Sequence, residues 1–115
     1  MMKPVTVIGS SNIYRFVDDL DSDLRRAIDM QNCTKMEVFK ARMNALNPKT
    51  DRVIIAVIEN FLMDTVEDAF DPFVIEQRVK NCLDKFFGVI KAEATRLRKT
   101  KFALVEPMAR PAVKW

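Results

Sequence analysis

Two short runs of mainly β-branched residues, Val5-Thr6-Val7-Ile8 and Val53-Ile54-Ile55-Ala56-Val57-Ile58, show no apolar–polar alternation. A strand with one solvated face alternates; a run that does not must be covered on both sides, as in a parallel sheet between helical layers. Phe102-Ala103-Leu104-Val105 reads as a third such strand, and residues 35–41, around Met36-Glu37-Val38-Phe39, as a further one. Helical spacing lies between them. Ile13, Phe16, Leu20, Leu24, Ala27 and Ile28 form one stripe, with Ser11 or Asn12 as its cap. Asp71-Pro72 puts a capping carboxylate before a proline at the first helical position. From there Ile75, Val79, Phe86, Ile90 and Leu97 carry a long helix to about Arg98, where basic residues complement its dipole. Residues 42–46 read as a short helix, Asn47-Pro48-Lys49-Thr50 as a turn, and residues 59–69 as a polar, acidic loop.

The order is strand, helix, strand, short helix, strand, long helix, strand. It predicts an α/β fold, a flavodoxin-like three-layer sandwich of about four parallel strands in a single domain over residues 1–115. The crossover through residues 42–52 is near the minimum length for a parallel connection; were it too short, its flanking strands would pair antiparallel. The run to Trp115 holds no fifth strand, and the expectation is an N-terminal part of a larger domain, with the fourth strand left as an exposed edge that invites a homodimer or another protein partner.

Charge and composition exclude several classes. The net charge of +3 comes from 19 basic and 16 acidic residues spread evenly, so no basic half points to nucleic acid. No apolar run is long enough to span a bilayer, and no apolar leader precedes Gly9, which gives a cytoplasmic expectation. Cys33 and Cys82 have no metal-ligand spacing and read as reduced thiols. The sequence contains no histidine, which rules out a His-ligated metal and any Ser-His-Asp machinery complete within these residues. No cofactor is expected. Glycine occurs twice, so each glycine is informative.

In an open parallel sheet, ligands bind beyond the carboxyl ends of the strands. Four segments are expected there: Gly9-Ser10-Ser11-Asn12, Ala41-Arg42-Met43-Asn44, Glu59-Asn60-Phe61 and residues 106–110, where Arg110 is an anion-binding candidate. In the first, a strand ends in glycine, a serine follows two positions later and a helix begins. That arrangement sets a hydroxyl at a helix N-terminus, whose N–H groups favour a developing oxyanion.

Val7-Ile8-Gly9-Ser10-Ser11-Asn12 resembles the first block of the SGNH (GDSL-like) hydrolases, with Ser11 in the nucleophile position and Ser10 where that family usually has aspartate. Residues 51–60, ending Ile58-Glu59-Asn60, are similar to the family's third block; Asn60 matches its oxyanion-hole asparagine, while Ile58 and Phe61 stand where the block has glycine and aspartate. The second block's glycine has no counterpart, leaving Ala41, Arg42 or Met43 to supply its N–H. Residues 102–115 resemble the fourth strand and following loop, in particular of esterase-like domains found in some retroelement proteins. The resemblance implies a serine esterase or acyl hydrolase acting on a small ester. In it, Ser11 attacks the carbonyl, a histidine takes the proton, and Asn60 with backbone amides holds the oxyanion. The family's Asp-x-x-His loop is absent from this chain, so the expectation is a truncated domain or pseudoenzyme with at most trace hydrolysis. Glu59, Asp64 and Glu106 are the carboxylates near enough in sequence to act as a base. The alternative is a non-catalytic α/β interaction or dimerisation module. A nucleotide site at the Gly9 turn is disfavoured, because dinucleotide turns need several glycines.

Overall fold

The computed structural model describes residues 4–10, 13 and 19–105. Its elements run β1 (Val5–Gly9), α1 (Ser22–Arg26), β2 (Ile28–Asn32), α2 (Met36–Asn44), β3 (Arg52–Ala56), α3 (Ile58–Val66), α4 (Pro72–Arg96) and β4 (Lys101–Leu104). The strands form one sheet in the order β2-β1-β3-β4, and every pairing is parallel. This is the flavodoxin-like α/β arrangement. β1 lies at the centre, with Val5 opposite Ile28 of β2 and Arg52 of β3.

Register divides the sheet into two faces. Thr6 and Ile8 align with Val53 and Ile55, and Val53 with Phe102. Ile8, Val53 and Ile55 join Phe39 and Met43 of α2, Phe61 of α3, and Cys82 and Phe86 of α4 in one buried core. Three helices thus cover this face. Their contact centres on three rings: Phe39 stacks on Phe86 at 5.1 Å between centroids, and Phe61 meets both edge-on at 5.6 and 6.0 Å. Such pairs add about 0.5–1.5 kcal/mol each beyond area burial. On the opposite face Val7 is buried, Ile54 and Ala56 are half-buried, and Ile13 packs against Gly9.

Three expectations about local structure are corrected. Residues 35–41 are not a strand; they belong mostly to α2, because Phe39 and Met43 are spaced for one helical face and both are fully buried. The second strand lies earlier, at Ile28–Asn32, where Ile28-Asp29-Met30-Gln31 alternates with a period of two. Ile28 therefore ends the expected helical stripe rather than continuing it, and α1 is short with no buried residue. The expected cap at Ser11 or Asn12 lies outside the described residues. Residues 59–69 are not a loop; Ile58, Phe61 and Leu62 bury one side of α3 against the core. The short-crossover concern also dissolves. β2 and β3 do not pair; they flank β1, and the connection between them spans Cys33–Asp51 through α2.

The long helix and the last strand agree with their expectations to within a few residues. Asp71 accepts a hydrogen bond from Phe73 N–H at 2.9 Å, as a capping carboxylate should. At the other end, the Arg96 guanidinium donates to Glu93 and to the carbonyls of Met43, Asn44 and Leu46. It thereby satisfies carbonyls at the C-terminus of α2. The buried Thr100 hydroxyl donates to the Thr50 carbonyl at 2.7 Å and Lys101 N–H to Asp51 at 2.9 Å, which sets β4 in register. Among the described residues no helix is long and apolar enough to cross a membrane.

Candidate functional site

Because every strand is parallel, all four carboxyl ends share one edge of the sheet. The chain leaves β1 toward β2 on one side, while β3 lies on the other. This is a topological switch point, and the crevice between two such strand ends is where ligands enter open α/β sheets. Gly9 is directly opposite Ala56 across it. Gly9-Ser10 forms one flank, and Val57–Asn60 forms the other.

The β1 flank is tightly held. Ser10 is buried, and the Gly9 carbonyl accepts from Cys33 N–H at 2.8 Å, which ties the end of β1 to the end of β2. Gly9 has an ordinary negative φ. Its missing side chain serves close approach instead, since a Cβ there would lie 2.9 Å from Ile13 Cβ. Ser11 and Asn12, the next residues of the expected motif, lie outside the described residues, as does Arg110.

The β3 flank differs from the expected strand-to-loop junction. β3 ends at Ala56 and α3 starts at Ile58, so Glu59 and Asn60 fall in the first helical turn. Both are half-buried. Val57, at the N-cap position, has no side-chain acceptor for the first-turn amides. The positive end of the α3 dipole therefore stands at the carboxyl end of β3, where it favours negative charge. Asp64, one of the carboxylates considered as a base, lies farther along α3 and pairs with Lys35 at 3.4 Å. Glu106 lies outside the described residues.

Ala41 and Arg42 are not at this edge. They are exposed residues of α2, carried away from β2 by the helix that replaces the expected strand. The residues that follow β2 are Cys33 and Thr34, which the reading of the sequence missed; the alternating Ile28–Gln31 pattern is the signal that locates them. Cys33 is buried among apolar groups, and burial pushes its thiol above the ordinary range despite a backbone hydrogen bond at Lys35 and the Arg42 charge nearby. A neutral thiol in that setting is a poor nucleophile. Among the described residues no cluster of Cys, Asp and Glu is arranged to hold a metal ion.

No protein-family model matches the chain, and no curated protein matches it.

Proposed function

We propose that the chain is an SGNH-type acyl-hydrolase domain in which Ser11 is the nucleophile and Asn60 an oxyanion donor, acting on a small ester. One observation supports this reading above the others: β1 and β3 are neighbouring parallel strands with Gly9 opposite Ala56. The serine motif follows the first of these strands in sequence and Asn60 lies in the first turn of the helix after the second, so the two motifs belong to adjoining strand ends. In this reading the Ser11 hydroxyl oxygen adds to the ester carbonyl carbon as its proton passes to a base. The tetrahedral oxyanion is held by the Asn60 amide and backbone N–H groups at the start of the following helix. Collapse expels the alcohol and leaves an acyl-serine, which water then hydrolyses. The sequence has no histidine, so no imidazole of this chain serves as the base. Glu59 is the neighbouring carboxylate, and a carboxylate is a weak base for a serine hydroxyl at neutral pH. Trace turnover follows. The two free, buried thiols fit a reducing, cytoplasmic setting.

Hydrolysis of p-nitrophenyl acetate, with and without free imidazole, tests the reading. Added imidazole supplies the missing base and raises the rate above that of imidazole with the ester alone, Ser11→Ala abolishes that excess, and Asn60→Ala lowers it by about a hundredfold. An imidazole effect of equal size in Ser11→Ala would remove Ser11 from the reaction.

A second reading, a non-catalytic module that pairs through its sheet edge, is favoured by the contrast between the two margins. β2 alternates Ile28 and Met30 with Asp29, Gln31 and Asn32, polar residues that discourage edge pairing, whereas β4 has one charged residue, Lys101, at its start and continues as Phe102, Ala103 and a half-exposed Leu104. Among the described residues no strand pairs with the outer side of β4. A dimer in sedimentation that Leu104→Pro dissolves would support this second reading, because the Lys101 and Val105 N–H groups bond the β3 side and those of the intervening even-numbered residues face outward; a monomer at high concentration would count against it.

A further inference from the structure

The most exposed large apolar side chains among the described residues sit together in sequence at the turn between α3 and α4: Phe70 is 91% exposed and Phe73 is 83% exposed. Val74, next to Phe73 in α4, is also exposed. Helix length explains the exposure. α4 has 25 residues and is about 37 Å long, while a five-residue strand spans about 17 Å. Its buried side chains, Cys82, Phe86 and Glu93, all lie beyond its first ten residues. The end of α3 and the start of α4 therefore extend past the core as a helical hairpin. Arg78 ties the two helices by donating to Asp68 Oδ1 at 2.7 Å and to the Thr65 carbonyl at 3.4 Å. Asp71 caps α4 at the tip itself. The rings are thus presented by a braced structure.

The charge around these rings selects what can cover them. No lysine or arginine occurs from Val53 to Gln77; Lys35 and Arg78 reach in to pair with Asp64 and Asp68, while Glu67, Asp71 and Glu76, next to the rings in sequence, make no ion pair among the described residues. The chain as a whole carries +3, so its carboxylates are concentrated against the overall balance. Two such tips facing each other would set like charges together, which opposes a symmetric dimer here. An anionic lipid surface would be repelled for the same reason. We infer that the α3–α4 tip docks a cationic amphipathic helix of another protein, with Phe70 and Phe73 against its apolar stripe and Glu67 and Glu76 facing its lysines or arginines. This inference is independent of the role proposed for Ser11.

The test titrates the full chain into a dansyl-labelled amphipathic peptide of leucine and lysine, beside the same peptide with glutamate in place of lysine. The Leu/Lys peptide binds saturably, about tenfold or more weakly to the Phe70→Ser/Phe73→Ser variant. Binding to Glu67→Gln/Glu76→Gln is weaker by about threefold, as for two exposed charge pairs. The Leu/Glu peptide does not bind. All four substituted side chains are exposed, so circular dichroism spectra of both variants match the parent, and the charge variant alone remains decisive if the serine variant loses helix. Equal affinity in parent and variants, or equal binding of the Leu/Glu peptide, overturns the inference. Self-association that disappears in the Phe70→Ser/Phe73→Ser variant assigns the tip to a second copy and also overturns it. Phosphatidylcholine vesicle binding lost in that variant does so in favour of a lipid surface.

Discussion

A Cβ at position 9 would stand 2.9 Å from the Cβ of Ile13 and 3.0 Å from its Cγ2. Contacts to three atoms of one β-branched side chain leave no room for a methyl group. The end of β1 and Ile13 are packed together only because residue 9 is glycine. Gly9→Ala is expected to destabilise the domain by about 1–3 kcal/mol, the usual range for overpacking. Ile13→Ala removes the γ-carbons and should recover part of that loss, which a double-mutant cycle in urea measures as a coupling. Additive effects would show that the two residues do not share this contact.

Arg96 and Glu93 form a second local unit. The Glu93 side chain is only 10% exposed, and Arg96 pairs with it while donating to carbonyls at the end of α2. Arg96→Met strips the carboxylate of this partner and removes those bonds, at an expected cost of about 2–3 kcal/mol. Arg96→Met with Glu93→Gln should cost less than Arg96→Met alone, because no buried charge is then left unpaired. Equal losses in the single and double variants, read from denaturant midpoints, would place the pair outside the stability of the α2–α4 junction.

The Arg78 guanidinium, by hydrogen bond and charge, holds the Asp68 carboxyl below its ordinary 3.8. A lowered carboxyl contributes stability that is present above 3.8 and lost as pH falls through the lower folded value. Asp68 is exposed, so the measurable effect is the titration itself. Carbon-detected NMR should show a depressed midpoint for Asp68 that returns to the ordinary value in Arg78→Met. An unchanged midpoint in that variant would mean that the Arg78 brace between α3 and α4 does not persist in solution.

Cys33 titrates in the opposite sense. Burial raises its thiol above 9.0, so the folded state holds its proton longer than the unfolded chain. The associated stability is complete below about pH 9 and declines as pH rises through the folded value. Native protein at pH 8 is expected to react slowly with a thiol-disulfide reagent at both buried cysteines, and quickly once unfolded by urea. Rapid native labelling of Cys33 would contradict its place in the core.

Legibility of the sequence followed the strength of local pattern. Val5–Ile8 and the core of the Val53–Ile58 run locate β1 and β3 because β-branched residues without alternation admit few other structures. Asp71-Pro72 locates the start of α4 because a cap and a fixed φ coincide. The second strand was hidden. Ile28-Asp29-Met30-Gln31 is an edge strand, half polar, and Ile28 also extends a helical stripe, so two periods compete for the same residues. Met36-Glu37-Val38-Phe39 has strand-like composition, and only the burial of Phe39 with Met43 reveals a helix. The strand-like composition there puts Ala41 and Arg42 at a strand end, whereas both are exposed residues of α2. Asn60 follows β3 in a helical turn rather than a loop, because the carboxylates of α3 mask its Ile58–Phe61–Leu62 stripe. The four-strand parallel sheet survived these displacements because the alternation of element types did not change.

The central claim is the proposal that Ser11 is the nucleophile toward acyl and phosphoryl electrophiles. Incubation of the folded chain with a fluorophosphonate, followed by intact-mass measurement and peptide mapping, addresses it directly. The account predicts one adduct, located on Ser11, absent after urea unfolding and slowed by about a hundredfold in Asn60→Ala. Labelling spread over several serines, or no adduct on the native chain even with imidazole present, would contradict it.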